Sequence, residues 1–474
     1  MKILILPSLC SLAFLSNLAF ADVLSWRNDG SGEFENIKPP LDWSDEKGTL
    51  WTSKFDESNA SPILVGEKLF FTEEPSSLIC VDSRTGETIW KQDNGLLNLL
   101  GLSDEEIEKA RTTMAESDRL DKEIGRMLYE MSRMGRSKLS QKEKDKKQGE
   151  IMKDYLDLGK EKESLSANDP YGDTVTPASH PSNGYSSYTP VSDGTYVFVC
   201  FGSGAVVAYD MEGNRVWHKI LDDTDHIFGG SVSPILVDGK LIVRFSDYVA
   251  LDPSSGTELW RAPSNVNFGT PIEFQVENQS FLFTGRGEVI RVSDGKKLTE
   301  ELVDITNEQM DWTVFNSPVW SGNQLYTVRG INGEEGHAYR FQVPHTVAEL
   351  ESDGLERVWK KDIRKGRYYA SPLLLQGLLY VYSDNSWLSV LEAETGDVIY
   401  EQKIEGMRGT TYPSLVLAGE HIFAGSENGQ VIFIQPGRKY VEVARTDIPP
   451  YRSTPIFVGD KVYLRTREDI RAIQ

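Results

Sequence analysis

Tyr188, His226, Trp312, Arg367, Tyr369, Arg408 and Arg452 share a position rather than a motif. Each lies a few residues ahead of a Pro-containing phrase that opens an apolar strand. If those strands surround a common axis, their rings and guanidinium groups converge and can stack on a planar ligand or grip a carboxylated one. The plainer use is structural: rings packed between neighbouring units, and arginines paired with Asp311 or Asp447. Catalytic and metal chemistry has less to stand on. The six histidines show no His-x-His or His-Glu-x-x-His spacing. Asp222-Asp223-Thr224-Asp225-His226 lacks the Gly and closing Glu of a calcium loop and reads as a solvated loop. Gly202-Ser203-Gly204 and Gly285-Arg286-Gly287 read as strand turns, because no helix follows either. No catalytic residue and no metal ligand is assigned.

The elements that must position these residues repeat. A hydroxyl residue, Pro, a short apolar run and a Gly turn recur at Ser61-Pro62, Thr189-Pro190, Ser233-Pro234, Thr270-Pro271, Ser317-Pro318, Ser371-Pro372 and Thr454-Pro455. An eighth phrase, Tyr412-Pro413-Ser414, has the Pro without a preceding hydroxyl. The prolines are separated by 128, 44, 37, 47, 54, 41 and 42 residues, and all but the first spacing suit one four-stranded propeller blade of roughly 40–50 residues. Several repeats close on a turn and a tryptophan: Asp82 to Gly86 and Trp90, Asp210 to Gly213 and Trp217, Asp252 to Gly256 and Trp260. Gly permits the tight hairpin, and a ring on the outermost strand can pack between blades. The last repeat stops at Gln474 without such a strand, whereas Leu50-Trp51-Thr52 supplies one with no repeat before it. The N-terminal strand is therefore expected to complete the last blade and remove the open edges. The expected fold is all-β, an eight-bladed propeller over residues 22–474; seven blades would result if the repeat at Pro271 or Pro413 merged with a neighbour.

These phrases resemble the PQQ-like (quinoprotein-type) β-propeller repeat. Trp26-Arg27-Asn28-Asp29-Gly30-Ser31-Gly32 and Trp43-Ser44 further resemble the start of secreted PQQ-like proteins of planctomycete type. The resemblance implies the fold and admits several activities. Among its members are quinoprotein alcohol dehydrogenases, a propeller lipoprotein of outer-membrane β-barrel assembly, and secreted proteins of unassigned role. The dehydrogenases hold PQQ and Ca²⁺ with adjacent cysteines, a Glu, an Asn and a catalytic Asp. This chain has no Cys-Cys pair and no position that matches the others, so no cofactor is expected, and PQQ with Ca²⁺ is kept as the alternative.

Residues 1–21 read as a signal peptide: Lys2, an apolar run, then Ala19-Phe20-Ala21 as the cleavage site. The mature chain is expected in the periplasm or secreted, with no transmembrane segment. Its two cysteines, Cys80 and Cys200, lie in apolar strands of different blades and are expected to be unpaired. A net charge of −22 argues against nucleic acid as partner.

The long first spacing holds an insertion at 103–166, with 15 Lys/Arg and 16 Asp/Glu. Ser103 followed by three acids is a helix start. Ile107, Ala110, Met114, Ile124, Leu128 and Met131 follow heptad spacing, Ser117 and Asp121 interrupt it, Gly135 and Ser137 mark a turn, and Ile151, Tyr155, Leu158 and Leu165 form a second stripe. An antiparallel helical hairpin is expected, with Met114, Met127, Met131 and Met134 as adaptable contacts for a partner. The sequence thus favours a non-catalytic monomeric scaffold that binds a protein partner or a small ligand, over a quinoprotein-type dehydrogenase or a carbohydrate-binding propeller.

Overall fold

A computed structural model describes residues 22–44, 48–134, 140–167, 187–221, 229–299, 302–303, 314–331 and 333–474. The expected signal peptide, His226, Trp312 and the turn at Gly135 lie outside the described residues.

Eight antiparallel sheets form the blades of a closed propeller. Blade 1 runs from Ile63–Val65 to Thr88–Asp93, and blade 7 from Val416–Ala418 to Glu442–Asp447. In blade 8, Thr49–Lys54 pairs antiparallel with the C-terminal strand Asp469–Ile473, which is the expected closure. The two middle strands of most blades are apolar on both faces because a neighbouring blade covers each side. Ile63, Phe70 and Leu78 of blade 1, for example, pack with Val197, Val199 and Val207 of blade 2.

Two devices join successive blades. The first is a belt of hydroxyls. In seven of the eight blades, the backbone N–H of the Ser or Thr that opens the innermost strand donates to the side-chain oxygen of its counterpart in the next blade. The links run Ser61 to Thr189 to Ser233 to Thr270, then Ser317 to Ser371 to Ser414 to Thr454 and back to Ser61, at 2.9–3.1 Å. Pro after these residues holds them extended and adds no competing donor. The belt also corrects the reading of blade 7: Ser414, not the residue before Pro413, is the equivalent hydroxyl, and Leu415 stands where the other phrases carry Pro.

The second device is the tryptophan. Trp51, Trp90, Trp217, Trp260 and Trp359 each lie on the hairpin glycine of the following blade and donate Nε1–H to a carbonyl of that turn. A Cβ on Gly213 would come within 2.7 Å of the Trp90 indole, so glycine is required for this approach as well as for its φ of 86°. All eight outer strands slip register by one residue at this point. The bulge turns the ring toward the next blade and spoils the edge for further pairing.

Blade 7 carries Ala444 opposite Phe433, at the cross-strand position where tryptophan stands in other blades. There the N-terminal segment supplies Trp43, fully buried, with its ring centroid 5.6 Å from those of Phe423 and Phe433 and 6.0 Å from that of Phe457 of blade 8. The same segment bridges Val23 to Leu64 of blade 1, accepts from Ser192 of blade 2 at Leu24, and adds Glu33–Phe34 in parallel to the inner strand of blade 7. Arg27 is its pivot: it donates to the carbonyls of Pro372 and Leu415 at 2.8 Å. Burial lowers its pKa to about 9, partly offset by Asp29 and Glu33.

Four helices are described: α1 (Leu96–Leu99), α2 (Asp104–Met134), α3 (Gln141–Ala167) and α4 (Val347–Asp353). α2 and α3 form the expected antiparallel hairpin, joined by Arg119–Glu161 at 3.6 Å and Lys147–Glu130 at 2.7 Å. Ser103 and Ser140 cap them, with Glu106 and Glu143 reaching back. Leu120 and Ile151 are buried in the seam, and at the root of the hairpin Ala110, Ile107 and Leu102 pack on Leu97 of α1.

Trp43→Ala leaves a cavity between blades 7 and 8 and should cost about 3–5 kcal/mol. Chemical denaturation of the full chain measures this, and a loss under 1 kcal/mol would show that the segment does not clamp that interface.

Candidate functional site

The blade-to-blade connections surround a well of about 380 Å³ at one end of the central channel. All eight belt residues line it, and Trp26 of the N-terminal segment does so as well. The walls differ. From blade 4 to blade 8 an arc of side chains runs through Phe268, Phe315, Tyr369 and Tyr412, with ring centroids 5.6, 4.7 and 4.8 Å apart in turn. Arg452 ends the arc with its guanidinium 4.3 Å from the centre of the Tyr412 ring. On the opposite side the lining is Asn59, Ser187 and Ser231 with the belt hydroxyls of blades 1–3.

The two arginines of the well are fixed from behind. Arg367 donates from Nη1 to the Tyr369 hydroxyl at 3.0 Å, and its amide meets Asp384 at 3.1 Å. Burial raises the Asp384 carboxyl above its ordinary value, against the pull of the Arg367 amide and guanidinium. Arg452 donates from Nε and Nη2 to Glu427 at 3.0 and 2.7 Å. Burial pushes the Glu427 carboxyl up, but the Thr410 amide and the Arg452 guanidinium outweigh it and hold the group below its ordinary value.

Of the residues singled out from the sequence, the well unites Arg367, Tyr369 and Arg452. Tyr188 is elsewhere, buried with Phe198 and Phe245 between blades 2 and 3, where it packs as core. Alternation explains the split: in Tyr368-Tyr369 and Tyr451-Arg452 the first residue enters the blade interface and the second lines the channel. Arg408 stays outside the well, 66% exposed and 3.6 Å from Asp447. His226 and Trp312 fall outside the described residues. On the hairpin Met127 and Met131 are half-buried, and the side chains of Met114 and Met134 fall outside the description. The exposed apolar pair is instead Met152 and Leu156, one turn apart on α3. Trp26, Phe268, Asp384 and the belt itself went unselected, although the recurring hydroxyl before Pro was the signal for the belt.

The described lining residues include no cysteine and no Glu of the kind the resemblance implies for a calcium–quinone site. Asp384 is the sole carboxylate among the described lining residues, and neither cysteine lines the well. Cys80 and Cys200 are free buried thiols, with Cys80 raised by burial to about 12. Among the described residues, no group of three His, Cys, Asp or Glu is placed to hold a metal ion.

The family described as "Outer membrane protein assembly factor BamB" matches residues 40–92, 177–343 and 345–474. The chain belongs to this family. It is 24% identical over 223 residues to the outer membrane protein assembly factor BamB of Legionella pneumophila (strain Paris), covering 43% of this chain and 50% of that protein. To the protein of the same name from Yersinia pestis it is 20% identical over 287 residues, 58% of this chain and 68% of that one. The chain thus spans about half the length of the first of these relatives. Quinohemoprotein alcohol dehydrogenase from Comamonas testosteroni is structurally similar with a TM-score of 0.54 at 10% identity, over 95% of this chain and 80% of that chain. The computationally designed Ika8 protein gives 0.52 at 8% identity, over 90% and 99%. At such identities the likeness is one of fold. Among the described residues, no helix is long and apolar enough to cross a membrane.

The Arg452–Glu427 pair carries a pH signature. A carboxyl depressed in the folded state contributes stability above its unfolded pKa, and that contribution is lost as pH falls through the folded value. Arg452→Met should therefore be less stable than the wild type at pH 7, with the difference shrinking below about pH 4.5. Urea unfolding at pH 7 and pH 3.5 tests it, and a pH-independent difference would contradict the pairing.

Proposed function

We propose that the protein is a non-catalytic scaffold of the periplasm or cell exterior that assists the assembly of outer-membrane proteins, holding a protein partner on its helical arm and a ligand in the channel-face well. The observation that carries this reading is the hairpin. Outside their shared seam the described residues of α2 and α3 are largely exposed, and Met152 and Leu156 present an apolar spot away from the seam. A 31-residue helix extends about 46 Å, far more than loop decoration of a blade requires. Exposed apolar groups on such an arm cost solubility unless a partner covers them, and methionine adapts to irregular partner surfaces. Membership of a family described as outer membrane protein assembly factors supports assembly as the task.

The fold supports the division of labour. The propeller core closes on itself without the insertion, since blades 1 and 2 meet through Phe70, Trp90 and Tyr209 and not through the arm. Deleting 103–166 and joining the ends with a short Gly/Ser linker should leave the thermal transition of the propeller in place. In the native host the same deletion should abolish co-purification of the partner and lower the amount of folded outer-membrane protein. Unchanged levels of both would contradict the proposal.

A further inference from the structure

The belt hydroxyls have capacity that the fold does not use. A serine or threonine hydroxyl has one proton to donate and two lone pairs. Seven of the eight belt oxygens accept the amide proton of the neighbouring blade. Among the described residues, no hydrogen bond has any of these seven hydroxyls as its donor. All are at least nine-tenths buried and all line the well. Buried donors find acceptors, and the lumen is the space they share. Accepting an N–H also polarises each hydroxyl and makes its own proton a stronger donor.

Three arginines lie at or beside this ring. Arg27 lies against it, bonding the carbonyls of Pro372 and Leu415, each the residue after a belt hydroxyl. Arg367 and Arg452 line the same well. The carboxylates nearby are Asp29 and Glu33 beside Arg27, Asp384, which accepts the Arg367 amide, and Glu427, which pairs with Arg452 and accepts the Thr410 amide.

We propose that the belt is an oxyanion receptor, and that the well takes a small carboxylate whose oxygens accept the convergent O–H groups while its flat apolar body lies along Phe315, Tyr369 and Tyr412. This rests on the channel-face ligand site proposed above and adds the ligand's chemistry. Neutral acceptors satisfy the hydroxyls without using the arginines, and cations meet a ring of proton donors. A carboxylate with a flat apolar body uses the hydroxyls, the arginines and the aromatic wall together.

Isothermal titration of the full chain with 4-hydroxybenzoate, and with the isosteric 4-hydroxybenzamide, tests the charge. The acid is expected to bind at least tenfold more tightly than the amide. The double variant Ser371→Ala with Ser414→Ala should weaken the acid at least tenfold and the amide less, and Ser371→Thr should keep wild-type affinity. Equal binding of acid and amide would overturn the oxyanion claim while leaving the well as a ligand site. Wild-type affinity in the double variant would overturn the role of the belt. Should that variant fail to fold, wild-type crystals soaked in sodium bromide give a second reading. An anomalous peak at belt level that 4-hydroxybenzoate displaces is expected, and water alone at that level overturns the proposal. Binding of neither compound, with no bromide at the belt, would overturn the ligand site as well.

Discussion

The buried amide at the start of each innermost strand needs an acceptor, and its own blade offers none at that point. A buried N–H left unpaired is among the costlier defects a fold can carry. In seven blades the acceptor comes from the next blade, so each of these is complete only when its neighbour is in place. The last link, from Thr454 back to Ser61, spans 393 residues. Opening the array at Thr454 would add a second unlinked donor and a second idle hydroxyl to those that Thr270 and Ser317 already leave in the belt. Closure through the N-terminal strand of blade 8 is therefore part of the same constraint as the belt, and the tryptophan contacts on the outside add apolar area to a ring already fixed at its centre.

The seam between blades 4 and 5 shows what happens when both devices are weakened. Among the described residues no belt bond joins Thr270 to Ser317, and Thr299 occupies the outer-strand position that tryptophan takes elsewhere. That interface relies on Phe274, Phe283, Phe341 and Leu350, the last carried on α4, the short helix inserted before the outer strand of blade 5. Three tryptophans from the N-terminal part of the chain act at different sites. Trp26 lines the well, Trp43 fills the blade 7–8 interface, and Trp51 seats on blade 1.

The repeat period, the closing strand and the hairpin could be read from the sequence because each rests on local patterning: Pro spacing, the Asp-to-Gly turn, heptad apolar residues. Ser414 is hidden in the sequence because Pro413 marks a register one residue off, and its bonds with the Ser371 amide and Thr454 place it. Tyr188 and Tyr369 both precede an inner strand, and which of them faces the lumen depends on a one-residue difference in distance from the belt. Trp26 could not be placed from sequence at all, since a segment that crosses the channel end has no periodicity to follow. Arg408 pairs with Asp447 as the plainer reading allowed, but at the surface rather than in the channel. The part of the candidate site that sequence did capture, Arg367, Tyr369 and Arg452, came from reading every blade at the same offset.

The account stands on the belt as the element that holds the ring shut and gives the well its lining. Amide hydrogen–deuterium exchange of the intact chain, resolved to the peptides carrying Ser371, Ser414, Thr454 and Ser61, tests it most directly. These amides should exchange only with global unfolding of the propeller, and the peptide carrying Thr270 should exchange sooner. Rapid exchange at the four linked amides in a protein whose middle strands remain protected would show that the hydroxyls do not hold the ring, and would contradict the account.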